Sequence, residues 1–358
     1  MSTFSVEAFE IAEILPHGNA DALELARIGG YHSVVRKGEF RKGGLVLFIP
    51  PDAILPDELM KEVGCWDHER GRGRLKGKEG NRLGAVRLRG VLSEGICYRA
   101  PFPVYPGIDY AEQLGVKKWV PVLPERSSGE VYHIAGITSY TDLENREKPL
   151  RKGGCAYDLV DGLEVVLSEK VHGSCCVFYL DEQNGFHVSS KGRAASSVAV
   201  KEPEEGAKGN WYWTVAYKYD LKNKLMKIKE QTGADRVTLY GEVYGNGVQD
   251  LQYGLKNGDK EFRAFDLKLR HEYVDYDEYV RLLDEAMIPM VPYLYRGSCT
   301  PETVDAHRDG TTTVGGDNIR EGVVIRPVVE KYDDEIGRVV VKSISPQYKL
   351  RKNATEYQ

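Results

Sequence analysis

Between residues 159 and 349 one device recurs: a short stretch rich in β-branched and aromatic residues that carries, or ends on, a charged or aromatic side chain. LSEKVHGSCCVFY (167–179) does so at Lys170, LYGEVYG (239–245) at Glu242, FRAFDLK (262–268) at Phe265, REGVVIRP (320–327) at Glu321 and VVVKSIS (339–345) at Lys342. Such segments form strands, whose side chains alternate between two faces. Strands are expected at 164–167, 175–180, 187–189, 238–243, 262–269, 322–326 and 338–341. Two helices interrupt them. Tyr217, Leu221, Leu225 and Ile228 share a face over 211–229, and Tyr276, Tyr279, Val280, Leu283 and Met287 share one over 276–287. This half is therefore α+β with a large antiparallel component.

The first hundred residues read as all-β. FSVEAFEIAEI, HSVVRKGEF, GLVLFIP, GAVRLRGVL and GICYRAP are short and partly alternating, with His17-Gly18-Asn19, Gly29-Gly30, Gly43-Gly44 and Pro50-Pro51 between them. That number and spacing suit a small barrel, with a short helical insert at 55–63. A chain of 358 residues accommodates two domains. The expected division is a β-barrel unit over 1–105, a junction over 106–150 and an antiparallel-sheet α+β unit over 151–358. Pro103, Pro106, Pro121 and Pro124 punctuate the junction, and Arg126-Ser127-Ser128-Gly129-Glu130 reads as a loop.

Composition narrows the function classes. A net charge of −5 argues against nonspecific nucleic-acid binding by the whole surface, although a local basic face still binds phosphates. The six cysteines show no paired spacing, which argues against a zinc site and a disulfide framework. Cys175 and Cys176 are neighbours on an expected strand, so one of them faces the core. No secretory leader and no membrane-spanning run is legible, and a reducing cytoplasmic compartment is expected.

A lysine whose amine is neutral near pH 7 is a covalent nucleophile. Attack on the α-phosphate of a nucleoside triphosphate gives a lysyl-nucleotide and pyrophosphate. Charge gathers on the phosphorus oxygens, so such a site needs fixed cations and a metal held by carboxylates. Lysine, glutamate, aromatic, glutamate and lysine on successive strands suit that chemistry.

The ordered set EKVHG, GEVYG, FRAFD, EGVVIR and VVK resembles the nucleotidyltransferase motifs of polynucleotide ligases and capping enzymes. Their common nucleophile motif is Lys-x-Asp-Gly, and here His172 stands in place of the aspartate, as in the RNA-ligase branch. A β-rich unit before the catalytic one narrows the resemblance to ATP-dependent RNA ligases of the Deinococcus and Naegleria type, with an OB-like N-terminal domain. The resemblance implies an adenylated Lys170, nucleotide contacts from Glu169, His172, Gly173, Arg193, Glu242, Phe265, Arg326 and Lys342, and Mg2+ or Mn2+ held by Glu242 and Glu321. Lys191 rivals Arg193, and Phe262 is the core counterpart of Phe265. Arg326 is either a phosphate contact or a surface residue. The last motif commonly has two lysines one residue apart. Val340 stands at the earlier place, so Lys342 acts alone or with Lys349 or Arg338.

In RGRGRLKGK (70–78) every second residue is basic: Arg70, Arg72, Arg74, Lys76 and Lys78. In a strand these project from one face and track a phosphate backbone; otherwise they are a solvated, glycine-loosened loop. The function expected is an ATP-dependent RNA ligase, a monomer away from membranes, that joins a 5′-phosphate end to a 3′-hydroxyl end, in a nicked duplex whose 3′-hydroxyl strand is RNA. The rivals are a DNA ligase or capping enzyme, and a nucleic-acid-binding protein with an inactive transferase domain.

Overall fold

The computed structural model describes residues 4–120, 129–204 and 209–351, so Arg126, Ser127 and Ser128 of the expected loop lie outside the described residues. Near the N-terminus, Glu7–Glu10 pairs with Leu45–Ile49, which pairs with Ile96–Tyr98. Glu13–Pro16, Leu23–Ile28 and Tyr31–Arg36 form a second antiparallel sheet. Backbone hydrogen bonds carry one sheet into the other: Ala12 N–H donates to Arg27 O and Glu94 N–H to His32 O, each at 2.9 Å. The ring closes into the small barrel expected. Within it residues 46–49 are buried on both sides, with Val46 and Phe48 against Ile11 and Ile28, and Leu47 and Ile49 against Val6 and Leu55. That double burial is why LVLFI reads as an unbroken apolar run. The helical insert is Asp57–Glu62, which adds Leu59 and Met60 to the second of these cores.

Two sheets build the rest. One runs in the order Val131–His133, Val198–Val200, Phe186–Ser190, Ser174–Leu180, Val237–Gly245, Lys260–Leu269, Glu272–Tyr273. The other runs Glu144–Asn145, Val341–Ile344, Gly322–Pro327, Glu164–Glu169, Tyr293–Ser298. Their pairings are antiparallel apart from Glu144–Asn145 beside Val341–Ile344. Two pieces of the expected junction thus serve as edge strands, one in each sheet.

Alternation sorts the faces. Cys176, Phe178, Leu239 and Phe262 pack against the helices Trp211–Lys218, Leu221–Thr232 and Tyr276–Glu285. Val165, Leu167, Val323, Ile325, Val339 and Val341 form a separate core with Val304 of Pro301–Arg308. The opposite faces of the two sheets look at one another across a cleft. The single helix expected over 211–229 is two helices, because Asp220 adopts a left-handed conformation (φ 50°) that breaks the hydrogen-bond ladder.

Candidate active site

Lys170 lies in the segment Lys170-Val171-His172-Gly173, which leaves the five-stranded sheet after Glu164–Glu169 and enters the seven-stranded sheet at Ser174. The nucleophile candidate is therefore at the crossing between the sheets, at the bottom of a cleft of about 740 Å³. Its Nζ donates to Glu321 Oε1 at 2.6 Å, and its own N–H donates to Gly322 O at 3.0 Å. Gly173 is needed for fit: a Cβ there would lie 2.2 Å from Val243 O.

Register places the other side chains. Cys175 is opposite Glu242, and both line the cleft. Val324 is opposite both Ser168 and Lys342, and all three line it. This answers what alternation alone left open: Val324 and Arg326 face the cleft, while Val323 and Ile325 face the core. Phe265 is half-buried on the cleft wall, edge-on to Tyr140 with ring centroids 4.7 Å apart, whereas Phe262 is fully buried in the core.

The charges are strongly coupled. Burial pushes the Glu242 carboxyl up to about 7, against the opposing pull of Lys170. Burial also acts on Glu321, but Lys170 and His172 outweigh it and hold that carboxyl at about 2. Lys342 is pushed down to about 8 by burial and by the charge of Lys170. Two carboxyls at such different values, one ready to hold a proton and one ionised, mark a functional cluster. Cys175 is the other nucleophile type in the cleft, and burial pushes its thiol up to about 12, which leaves the thiolate scarce.

Several expectations need correction. Glu169 lines the cleft beside Lys170, but its carboxylate is engaged: it accepts bonds from Thr312 Oγ1, Thr313 N and Thr313 Oγ1, and faces Arg320 at 3.5 Å. It thereby anchors the 312–313 loop to the strand that leads into Lys170. Among the described residues, Arg193 does not line the cleft; Lys191, at the start of the same short helix, does, and pairs with Asp142. Arg326 is not a surface residue: it is buried and faces the cleft, with Asp266 Oδ1 at 3.3 Å and Glu330 Oε1 at 2.9 Å. Arg338 is bound in the same network, to Asp266 and Glu330, and so is unavailable to assist Lys342. Gly241 makes room for the Phe262 ring, since a Cβ there would meet Phe262 Cε2 at 2.1 Å.

The basic run is not a strand. Arg72–Gly73 pairs with Trp66–Asp67 and Lys76 makes a single bridge to Arg82, while turns at Gly71 (φ 59°) and Gly77 (φ 84°) break the period of two. Arg70, Arg72, Arg74, Lys76 and Lys78 are all exposed. Lys76 alone of the five lines the cleft, where its Nζ donates to Lys349 O at 3.0 Å. Lys349 in turn pairs with Glu94 of the barrel at 2.8 Å. Sequence reading missed Lys118, Lys148 and Tyr140, which also line the cleft and come from the supposed junction and the strand edges, where no motif marks them.

The carboxylates suit a divalent cation. Glu321 Oε2 is buried without a hydrogen-bond partner; its nearest ion-pair contact is His172 Nδ1 at 3.6 Å. Among the described residues no cluster of three or more His, Cys, Asp or Glu converges. That is the pattern of Mg2+ or Mn2+ bound by one or two carboxylates and completed by phosphate and water. Also among the described residues, no helix is long and apolar enough to cross a membrane.

An OB-fold domain model matches residues 5–100, the closed barrel. No curated protein matches the chain. Among solved structures, Naegleria gruberi RNA ligase with PPi is 23% identical, covers 97% of this chain and 98% of that one, and superposes with a TM-score of 0.76. A mutant of that enzyme with ATP and Mn gives 23%, 97%, 98% and 0.76, and an apo mutant 24%, 97%, 97% and 0.75. These likenesses establish a shared fold over both units. The RNA ligase model matches residues 163–344, just over half of the chain and the stretch that holds Lys170, Glu242, Phe265, Glu321 and Lys342. The chain belongs to the RNA ligase family.

Proposed function

We propose that the protein is an ATP-dependent RNA ligase that works through a lysyl-AMP at Lys170. The observation that carries this reading is the 2.6 Å contact of Lys170 Nζ with Glu321 in a cleft of about 740 Å³, a volume suited to a nucleotide. The Lys170 ammonium gives up a proton to solvent, its lone pair forms a bond to the α-phosphorus of ATP, the bond to the bridging oxygen breaks, and pyrophosphate leaves. AMP then passes to a 5′-phosphate end, and a 3′-hydroxyl attacks that activated end and releases AMP. Phe265 stacks on the adenine, Lys342 and Lys191 meet phosphates, and His172 and Gly173 shape the turn. Glu242 and Glu321 would hold Mg2+ or Mn2+, which offsets negative charge on the phosphates when bound. The related Naegleria gruberi structures with ATP and Mn and with PPi support this assignment.

The finer reading is a monomer in a reducing cytoplasm, for which the six free cysteines are support, acting on a nicked duplex with an RNA 3′-hydroxyl strand. We assign nucleic-acid binding to residues 1–105 and adenylyl transfer to 151–358, with 106–150 as the junction between them. Of the basic run, Lys76 belongs to the cleft, and Arg70, Arg72, Arg74 and Lys78 present exposed cations to the duplex.

The test is incubation with α-labelled ATP and Mg2+ or Mn2+, followed by denaturing electrophoresis, beside Lys170→Ala and beside α-labelled GTP. Label on the wild type from ATP only, and none on Lys170→Ala, is the expected result. Label from GTP points to a capping-type enzyme, and no label with the folded protein leaves a binding protein. Nicks with an RNA or a DNA 3′-hydroxyl strand then decide the polynucleotide.

A further inference from the structure

We propose that Asp250 is a positioning residue for Lys170, acting through His172. Together the pair stand in for the aspartate of Lys-x-Asp-Gly. This inference rests on the ligase reading above.

His172 is only 4% exposed and is gripped on both ring nitrogens. Its Nε2 is 2.8 Å from Asp250 Oδ1, and its Nδ1 is 2.8 Å from Tyr348 Oη. Nε2–H donates to Asp250, while Nδ1 faces both the Tyr348 hydroxyl and, at 3.6 Å, Glu321 Oε2. The backbone is held by the same stretch as the ring. His172 N–H donates to Tyr253 Oη at 2.6 Å, and Gly173 O accepts from Gln249 Nε2. Gln249, Asp250 and Tyr253 thus fix the link between the two sheets from one side, and Gly173 is pressed on Val243 from the other. A group that orients a site residue by hydrogen bonding from behind is a usual means of preorganisation.

Asp250 has a second partner. Arg351 Nε lies 3.0 Å from Asp250 Oδ2, so the same carboxylate ties the Lys170 link to the helix Pro346–Lys349, which presents Lys349 to the cleft. In the common motif a carboxylate sits two residues after the lysine. Here an imidazole occupies that place and the carboxylate is one ring further out, 78 residues later in the chain. Replacing His172 by Asp alone would set a carboxylate near Asp250 and Glu321 in a buried pocket, where like charges oppose one another. Removing the Asp250 charge at the same time would relieve that opposition.

The experiment follows the rate of lysyl-AMP formation with α-labelled ATP in the full chain, across ATP concentration, for the wild type, Asp250→Asn, Asp250→Ala, His172→Asp and the double variant His172→Asp/Asp250→Asn. Thermal unfolding of each is recorded in parallel. The expected result is a loss of about 10- to 100-fold in the maximal rate for Asp250→Ala with the half-saturating ATP unchanged, a folded Asp250→Asn with a lowered unfolding midpoint from the lost Arg351 and His172 pairs, and a double variant about tenfold or more faster than His172→Asp. If Asp250→Ala does not fold, the double variant against His172→Asp decides. Asp250 variants that label at the wild-type rate, a loss confined to half-saturation, or a double variant no faster than His172→Asp overturn the inference while wild-type labelling upholds the ligase reading. A wild type that takes no label removes both.

Discussion

The Lys170 link and the run from Arg70 to Lys78 are both cationic features visible in the sequence, and the fold treats them in opposite ways. Lys170 is drawn to the crossing of two sheets, paired at 2.6 Å and surrounded by carboxyls whose ionisation is moved far from the ordinary range. Apart from Lys76, the basic run stays on the barrel surface, broken by left-handed glycines, with Arg74 3.7 Å from Asp67. Charges in water are screened and cost little; charges in a low-dielectric cleft reshape one another. A motif takes its chemical role from what packs around it, and local charge density alone supplies only an encounter surface.

The largest effect that would break this contrast is at the nucleophile. Lys170→Ala should lower lysyl-AMP formation by about 10⁴-fold or more, measured by label transfer, whereas substitutions of Arg70, Arg72, Arg74 and Lys78 should leave that step within about twofold. Equal losses in the two places would erase the distinction.

Next in size is the wall behind the cleft. Asp266 is 1% exposed and faces Arg338 and Arg326, and its removal leaves two buried guanidiniums to share Glu330 alone. Asp266→Ala should destabilise the protein by about 3–5 kcal/mol in denaturant unfolding. A cost near zero would mean that water reaches this network and that the cleft is less desolvated than its geometry implies.

The two phenylalanines of FRAFD separate packing from binding. Phe262→Ala should cost about 3–5 kcal/mol of stability. Phe265→Ala should leave the fold largely intact and raise the half-saturating ATP by about 10- to 100-fold, the usual worth of a stacked base. Reversed outcomes would exchange their roles.

Changing Arg70, Arg72, Arg74 and Lys78 together to glutamate should weaken binding of a nicked duplex. Its salt dependence should flatten by about one unit of slope for each phosphate that no longer meets a cation. An unchanged slope would assign the run to solvated surface.

The smallest effect concerns how the barrel is held on the catalytic unit. Arg151 makes a bidentate pair with Glu7 of the first strand, at 2.8 and 2.9 Å. Burial opposes ionisation of Glu7, but Arg151 and Ser5 hold its carboxyl below the ordinary value of 4.5. A depressed carboxylate adds stability that is present above that value and fades as pH falls through the folded-state value. Arg151 is over half exposed, so the gain is about 1 kcal/mol or less. Unfolding from pH 6 to 3, compared with Glu7→Gln, should show a slightly shallower acid slope in the variant.

Much of the site was legible because each motif is local. A strand of alternating residues assigns Val324 and Arg326 to one face and Val323 and Ile325 to the other before any fold is known, although not which face meets the ligand. Cys175 and Cys176 divide in the same way, cleft and core. What the motifs do not show is which distant groups meet their side chains. The Glu169 carboxylate meets Thr312 and Thr313, Arg326 meets Asp266 and Glu330, and Gly241 packs on the Phe262 ring at the bulge between Tyr240 and Gly241. A window of a few residues contains none of these partners.

The sequence by itself determined the barrel-then-α+β order, the strands and the chemical identity of the residues that face the cleft, because strand propensity and period-two alternation act over a few neighbouring residues. Only the tertiary structure decided that residues 131–133 and 144–145 edge the two sheets, that Glu94 holds Lys349, and that Asp250 grips His172. Those contacts join parts of the chain tens to hundreds of residues apart. They exist because sheets pair and units dock where the burial of apolar faces brings them, and no local pattern records which distant residue will arrive there.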